Sequence, residues 1–280
     1  MREVQVSKIT ETIRKLCIES NYYLTDDIKK RFIEARDSEQ SPVAKNIMDI
    51  LIENADIAAN EDRPMCQDTG VAVVFIEMGQ DVHVVGGNLE DAINEGVRQG
   101  YTDGFLRKSV VKDPLDRVNT GDNTPAIIHY DIVPGDTFKI TVAPKGFGSE
   151  NMSQLKMLRP ADGIEGIKEF VLKVVKEAGP NPCPPIVVGI GVGGTFDRAA
   201  LLAKKALLRS TDVRNSNPIY ESLEKEMLEA VNNLGIGPQG FGGKTTALAV
   251  NIESYATHIA GLPVAVNINC HATRHGEAHL

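Results

Sequence analysis

Three of the four cysteines stand where an apolar stretch meets a loop of small and polar residues. They are Cys66 in PMCQDTG, Cys183 in NPCPPIVV and Cys270 in NINCHATRH. No two of them are close in sequence, so the short spacings of zinc and ferredoxin sites are absent. The spacing alone leaves two interpretations open: three unrelated thiols, or a metal cluster whose ligands meet only in the fold.

The residues beside these cysteines could support chemistry at such a cluster. An iron cluster held by only three thiolates has one iron without a protein ligand, and that iron can act as a Lewis acid. Asp68 follows Cys66 closely, and a group of cationic and imidazole side chains (His271, Arg274, His275) follows the last cysteine. A nucleophilic cysteine would instead need a dedicated histidine partner, and the cysteine flanked by two prolines suits that role poorly.

Composition narrows the class of protein. The 280 residues are 42% hydrophobic and 24% charged, which is typical of a globular protein, and the net charge is −8. The charge argues against a nucleic-acid footprint but is compatible with a small carboxylate substrate. The N-terminus shows no secretory signal and no window is apolar enough for a membrane span. Scattered cysteines without a signal predict reduced thiols and a cytoplasmic location.

The sequence predicts a single domain with two textures. Residues 1–62 are expected to be helical: one helix carries Cys17 as a core thiol, and later ones begin after Thr25 and at Ser41-Pro42. Residues 63–280 are expected to form an α/β body. Its helices are predicted at LEDAINEGVRQGY, at 162–177, at FDRAALLAKKALLR and at 218–234, and LPVAVNINCHA reads as the final strand.

Two hairpins are predicted in this body. One joins VAVVFIEM to DVHVV through Gly79-Gln80, and the other joins AIIHYDIV to TFKITVAP through Pro134–Asp136. They argue against an all-parallel sheet. The predicted fold class is therefore α/β, with a mixed sheet, hairpins and helices, and a helical N-terminal segment.

The stretch GIGVGG fits a dinucleotide fingerprint, because Gly189, Gly191 and Gly194 follow a strand and precede a helix. The fingerprint also needs an acid at the end of a second strand. Asp212 has a suitable spacing, but it lies in the polar, turn-rich segment STDVRNSNP. An NAD-linked dehydrogenase therefore stays as an alternative, which cofactor titration would test.

The motifs CQDTG, KGFGSENMS, CPPIVVGIGVGGTFDRAALLAKKALLR and GLPVAVNINCHATRH together resemble the class I, iron–sulfur fumarate hydratase and L-tartrate dehydratase family. The likeness is to its α-subunit, or N-terminal catalytic region, and covers essentially the whole chain. It implies an oxygen-sensitive 4Fe–4S cluster bound by Cys66, Cys183 and Cys270. It also implies reversible addition of water to the double bond of a C4 dicarboxylate.

The resemblance also implies roles for other residues. Asp68 and His258 match an acid or orienting pair near the substrate hydroxyl. The substrate-binding residues that match the family motifs are Gln67, Arg107, Gly146 and Gly148; Arg107 would grip a carboxylate, and the glycines would allow a close backbone approach.

In the family a second region, fused or carried by a β-subunit, completes the active site. The sequence ends at Leu280, soon after Cys270. We therefore expect an α-subunit that works in a hetero-oligomer with a β-subunit, with no nucleic-acid or membrane partner. Fumarate is the first expected substrate and L-tartrate the alternative. A non-catalytic scaffold subunit is the remaining alternative, and it predicts that the three cysteines can be replaced without effect.

Overall fold

The computed structural model describes all residues, 1–280, and the chain divides into two compact, interleaved units. Unit 1 comprises Met1–Leu24, Asn54–Gly146 and Arg274–Leu280; unit 2 comprises Thr25–Glu53 and Phe147–Thr273. The single-domain interpretation of the sequence stays a prediction. None of the helices combines the length and apolar composition that a membrane span needs.

The helices are α1 (Val6–Tyr22), α2 (Asp26–Ser38), α3 (Pro42–Asn60), α4 (Leu89–Asp103), α5 (Phe147–Glu150), α6 (Gly163–Ala178), α7 (Phe196–Ala206) and α8 (Pro218–Asn232). The strands are β1 (Arg2–Gln5), β2 (Val71–Gly79), β3 (Val82–Val85), β4 (Ile127–Val133), β5 (Phe138–Lys145), β6 (Gln154–Leu158), β7 (Ile186–Gly193), β8 (Ala247–Tyr255), β9 (Leu262–Asn269) and β10 (Gly276–His279).

The seven helices predicted from the sequence are confirmed, and the α/β class is confirmed as well. Pro42 is the first residue of α3, and the Ser41 hydroxyl accepts the Ala44 N–H at 3.4 Å. Cys17 is fully buried in α1, as expected of a core thiol. The short strands β1 and β10 were not predicted from the sequence.

Unit 1 places α1 and α4 against a mixed sheet. The strand order is β10-β5-β2-β4; β2 runs parallel to β4 and antiparallel to β5, and β1 pairs separately with β3. Ile9 and Ile13 of α1 share a core cluster with Ile93 of α4 and with Val74 and Ile76 of β2. The apolar stripes of both helices are therefore covered by one face of the sheet.

Both predicted hairpins are wrong. β3 pairs with β1 and not with β2, while β2 lies between β4 and β5 and separates them. The physical reason is that Ala72–Ile76 are all buried, so the backbone N–H and C=O groups on both edges of β2 must be paired, and β4 and β5 pair them. Asp81 N–H donates to the Gly135 carbonyl at 2.9 Å, so the two predicted hairpin turns bond to each other.

Unit 2 is built around a second mixed sheet, in the order β6-β9-β7-β8. β7 is parallel to β8 and antiparallel to β9. Val188 and Ile190 of β7 belong to a core cluster with residues of α6 and α8. Because side chains alternate along a strand, the other face of β7 is left for α7.

The glycines of GIGVGG explain how α7 packs. Gly189 and Gly191 lie within β7, not in the loop after it, and a Cβ on them would come within 2.2 Å of the Ala203 carbonyl oxygen and 2.0 Å of the Ala199 carbonyl oxygen. Their absent side chains let the backbone of α7 approach the strand. This accounts for the two glycines without a nucleotide, whose fingerprint needs them in the turn.

Glu39, between α2 and α3, holds the glycine loop before β8. Its buried carboxylate accepts the N–H groups of Gln40, Ser41, Lys244 and Thr245 at 2.9–3.3 Å. Burial by itself would raise the pKa of Glu39, but these backbone donors outweigh it and hold the pKa below its ordinary value. The charged form is therefore the one that stabilises unit 2.

Replacing Glu39 by Gln should lower the stability of the protein at neutral pH and make that stability less dependent on pH in the acidic range. The folded-state pKa is lowered, so the stabilisation is complete above the unfolded-state pKa of about 4.3 and is lost as pH falls through the folded-state value. The difference in denaturation midpoint between wild type and Glu39→Gln, measured from pH 7 downwards, should narrow as the pH falls below about 4.3. Exposed Glu229→Gln is the control; a difference that stays constant or widens as the pH falls would contradict the prediction.

Candidate functional site

Two of the three candidate cysteines lie at one edge of the unit 2 sheet. Cys183 precedes β7 and Cys270 follows β9, and these strands are antiparallel neighbours with Val187 opposite Asn269. The His271 N–H donates to the Cys183 carbonyl at 3.1 Å, so the two loops are joined directly. We call this the cysteine edge.

Gln239 fastens the cysteine edge. Its backbone N–H and its side-chain amide both donate to the Pro184 carbonyl, at 2.7 and 2.8 Å, and its Nε2 lies 3.2 Å from His271 Nδ1. Cys183 itself has a φ of +54° and donates its N–H to the Pro180 carbonyl at 2.9 Å. Nothing in the sequence singles out Gln239 apart from the turn-rich stretch PQGFGG in which it lies.

Cys66 lies in an ordered loop of unit 1. The neighbouring Met65 donates its N–H to the Asn21 carbonyl at 3.0 Å and accepts the Asn54 side-chain amide at 2.9 Å. The half-buried Cys66 thiol donates to Gln67 Oε1 at 3.4 Å. Gln67 is thus placed directly beside the thiol.

Asp68 is fixed through both its side chain and its backbone. Its Oδ1 accepts the Gly70 N–H at 3.0 Å, and its carbonyl accepts a hydrogen bond from the Arg274 guanidinium. A Cβ on Gly146 would lie 3.0 Å from Asp68 Oδ2. The missing side chain of Gly146 thus leaves room for the Asp68 carboxylate, and the predicted substrate contact of Gly146 stays a prediction.

Arg274, which the sequence marked as a cationic side chain close to Cys270, is buried. It is 3% exposed, and its Nε and Nη1 atoms are buried without a hydrogen-bond partner. Undonated N–H groups on a buried guanidinium are costly, and more so because the group is charged. An anionic group at this loop would satisfy them.

Arg107 is exposed and follows a Phe105 with a φ of +50°. Its backbone is held by the Thr69 side chain: the Arg107 N–H donates to Thr69 Oγ1 at 2.9 Å, and the Thr69 hydroxyl donates to the Arg107 carbonyl at 3.2 Å. The segment that carries the guanidinium is therefore tied to the CQDTG loop.

The two remaining predicted residues lie in unit 2. Gly148 is in the short helix α5, and the nearest atom to a Cβ there would be the Asn181 carbonyl oxygen at 3.5 Å, an ordinary contact. His258 is exposed in the β8–β9 connection, where its Nδ1 accepts the Ala260 N–H at 3.1 Å.

The structure does not bring His258 together with Cys183 and Cys270. The β8–β9 connection lies at the carboxyl end of β7, whereas Cys183 precedes its amino end. An eight-residue strand separates the two edges by roughly 25 Å. Within one copy of unit 2, His258 is at the edge opposite the cysteines.

The donor set suits a thiolate-bound metal group, although no group of three or more His, Cys, Asp or Glu side chains is placed to hold a metal ion. Cys66, Cys183 and Cys270 are all outside the core. Cys17 is the contrasting case, because burial raises the pKa of its thiol to about 12 and disfavours the thiolate. Taken unit by unit, the thiols of Cys66 in unit 1 and of Cys183 and Cys270 in unit 2 are each open enough to act as metal ligands.

Comparison with known proteins gives consistent matches. Residues 10–279 match the family model described as Fumarate hydratase (Fumerase). The chain is 46% identical over 275 residues to a Methanocaldococcus jannaschii protein provisionally named L(+)-tartrate dehydratase subunit alpha, covering 95% of each chain. It is 34% identical over 279 residues to the L(+)-tartrate dehydratase subunit alpha of Escherichia coli O157:H7, covering 98% of this chain and 91% of that protein.

Proposed function

Because the chain belongs to the fumarate hydratase (Fumerase) family and is a hydro-lyase, we propose that it is the α-subunit of an L-tartrate dehydratase. The observation that carries the proposal is that several relatives, matched over nearly their whole length, are named L(+)-tartrate dehydratase subunit alpha. The names favour the alternative substrate of the sequence analysis over its first choice, fumarate. Fumarate stays as the second candidate because the family description names it.

We propose that Cys66, Cys183 and Cys270 bind a 4Fe–4S cluster. When bound, such a cluster supplies an iron that lacks a protein ligand and acts as a Lewis acid toward carboxylate and hydroxyl oxygens. The proposal is supported by the accessible thiols, by the joined loops of Cys183 and Cys270, and by the family resemblance.

The other residues of the chain act on the substrate. Arg107 binds a substrate carboxylate through its planar guanidinium, and Gln67 donates its side-chain amide N–H to a substrate oxygen. Asp68 passes a proton from Oδ2 to the leaving hydroxyl oxygen, so that the broken C–O bond releases water. The hydrogen on the neighbouring carbon leaves as a proton, and the product of L-tartrate is the enol of a keto dicarboxylate. Gly146 gives Asp68 the space for its carboxylate.

Two contributions come from outside this copy of the chain in our proposal. The name "subunit alpha" of the relatives supports a β-subunit partner, which supplies the base that takes the carbon-bound proton. His258 lies at the edge opposite Cys183 and Cys270, so its assignment to the same site requires that another copy of the chain supply it.

A substrate comparison tests the proposal. The chain, reconstituted anaerobically with iron and sulfide and combined with its β-subunit, should convert L-tartrate with a higher kcat/KM than malate or fumarate. A higher kcat/KM for malate and fumarate would make it a fumarate hydratase. Turnover of none of them by a complex that contains iron would refute the proposed function.

Gly146→Ala should lower kcat by about 10- to 100-fold, because the added Cβ would lie 3.0 Å from Asp68 Oδ2 and displace that carboxylate by a fraction of an ångström. Gly87→Ala is the control, since its Cβ would meet only the Val6 side chain, at 3.4 Å. Steady-state kinetics on complexes of equal iron content would check this. Equal kcat values for both variants would show that Asp68 does not depend on the space at Gly146.

A further inference from the structure

Thr69 makes a reciprocal pair of hydrogen bonds with the backbone of a single residue, Arg107. Its Oγ1 accepts the Arg107 N–H at 2.9 Å and its hydroxyl donates to the Arg107 carbonyl at 3.2 Å. Thr69 is 2% exposed, so these bonds do not compete with bulk water. One hydroxyl thus satisfies both backbone groups of the residue proposed to bind substrate.

The segment after Arg107 is held by a second buried side chain. Asn123 is completely buried; its Oδ1 accepts the N–H groups of Ser109 and Val110 at 2.6 and 3.2 Å, and its Nδ2 donates to the Gly70 carbonyl at 3.1 Å. The segment from Arg107 to Val110 is therefore joined to the CQDTG loop at two places, through Thr69 and through Asn123.

Tyr101 holds the backbone of Thr69 in place. It is 1% exposed, and its hydroxyl lies 2.8 Å from the Thr69 carbonyl oxygen and 3.1 Å from that of Gly70. Burial raises the pKa of Tyr101 well above its ordinary value, so the hydroxyl keeps its proton and stays a donor. Tyr101 thus holds the Thr69 backbone, while the Thr69 side chain holds the Arg107 backbone.

We propose that Thr69 is a positioning residue for Arg107. Thr69 follows Asp68 in the chain, so it holds the Arg107 backbone at a fixed place relative to Asp68, and Asn123 holds the segment after Arg107. The inference rests on the proposed function, because it takes Arg107 to be the carboxylate-binding residue. An exposed arginine on an unanchored loop would lose entropy whenever it bound a carboxylate. Because the buried Thr69 hydroxyl already orders the Arg107 backbone, less entropy is lost when the substrate binds.

The test uses the iron-containing complex with the β-subunit and L-tartrate. Thr69→Val keeps the shape of the side chain but loses both hydrogen bonds to the Arg107 backbone. It should raise KM by about 10- to 100-fold, the range expected if Arg107 loses one charge-assisted hydrogen bond to the substrate carboxylate. The kcat should change by less than about threefold. Thr69→Ser keeps the hydroxyl and should restore KM. Thr141→Val is the matched control, because it removes another hydroxyl of unit 1 that is 3% exposed.

A double variant separates positioning from general stability. If Thr69 acts through Arg107, Thr69→Val should add little to the KM of Arg107→Ala, whereas independent effects would multiply. Hydrogen exchange gives a readout besides activity: the Arg107 amide should exchange faster in Thr69→Val and at the wild-type rate in Thr69→Ser. If Thr69→Val does not fold, Thr69→Ala replaces it.

The outcomes distinguish this inference from the proposed function. An iron-containing wild-type complex that turns over no C4 dicarboxylate would refute the function. An active wild type with an unchanged KM in Thr69→Val, or with multiplicative effects in the double variant, would overturn the role of Thr69 alone.

Discussion

Single replacement of Cys66, Cys183 or Cys270 by serine should abolish the 4Fe–4S cluster and reduce activity to background. In the proposed cluster each thiolate would hold one of three irons, and an alcohol oxygen is a poor substitute for a thiolate at iron. Anaerobically reconstituted wild type should contain about four irons per chain, and each variant markedly fewer. Iron and sulfide analysis with visible absorption spectra would measure this.

The control for these variants is Cys17→Ala. Cys17 is buried in α1 and its pKa is raised to about 12, so its replacement should leave iron content unchanged. Iron content equal to that of wild type in Cys183→Ser or Cys270→Ser would refute the cluster and favour three unrelated thiols. Unchanged activity of the complex in all three variants would favour a scaffold subunit instead.

Asp68→Asn should lower kcat by about 100- to 10,000-fold, the range typical of removing a general acid or base, while the iron content stays the same. Asparagine keeps the shape of the side chain and an oxygen that can accept the Gly70 N–H. What it loses is the capacity to hold and release a proton. Kinetics and iron analysis on the same preparation would separate this effect from the loss of the cluster.

Asp113→Asn provides a close control for Asp68→Asn. Asp113 also accepts backbone N–H groups in a turn of unit 1, those of Leu115 and Asp116 at 2.8 Å, but it lies outside the proposed site. Its replacement should leave kcat unchanged. Loss of activity in Asp113→Asn equal to that in Asp68→Asn would mean that the turn, and not the proton, is responsible.

The helices could be predicted from the sequence because their signals are local. Apolar spacing in α1, Pro42 at the start of α3 and the acidic first turn of α2 each involve residues a few positions apart. The strand pairing could not be predicted in the same way. β2 pairs with β4 and β5, which come much later in the chain, and turn residues at Gly79 and Gly135 gave no information about these partners.

The candidate site shows the same division. Cys66, Gln67 and Asp68 could be proposed from the sequence because they belong to one distinctive motif, CQDTG. Gln239 and Asn123 matter through what they contact, and each contacts residues far away in sequence. An isolated asparagine in the stretch TGDNTP gives no sign that its side chain is completely buried.

The joined loops at the cysteine edge have a consequence for how tightly metal can bind. Cys183 and Cys270 are far apart in sequence, and drawing two such residues together from a disordered chain costs loop-closure entropy. Here the pairing of β7 with β9, together with the hydrogen bond from His271 to Cys183, brings them together when the sheet forms. That entropy is lost on folding rather than on metal uptake, so if Cys183 and Cys270 bind the proposed cluster, they do so as a preorganised pair and with a correspondingly higher affinity.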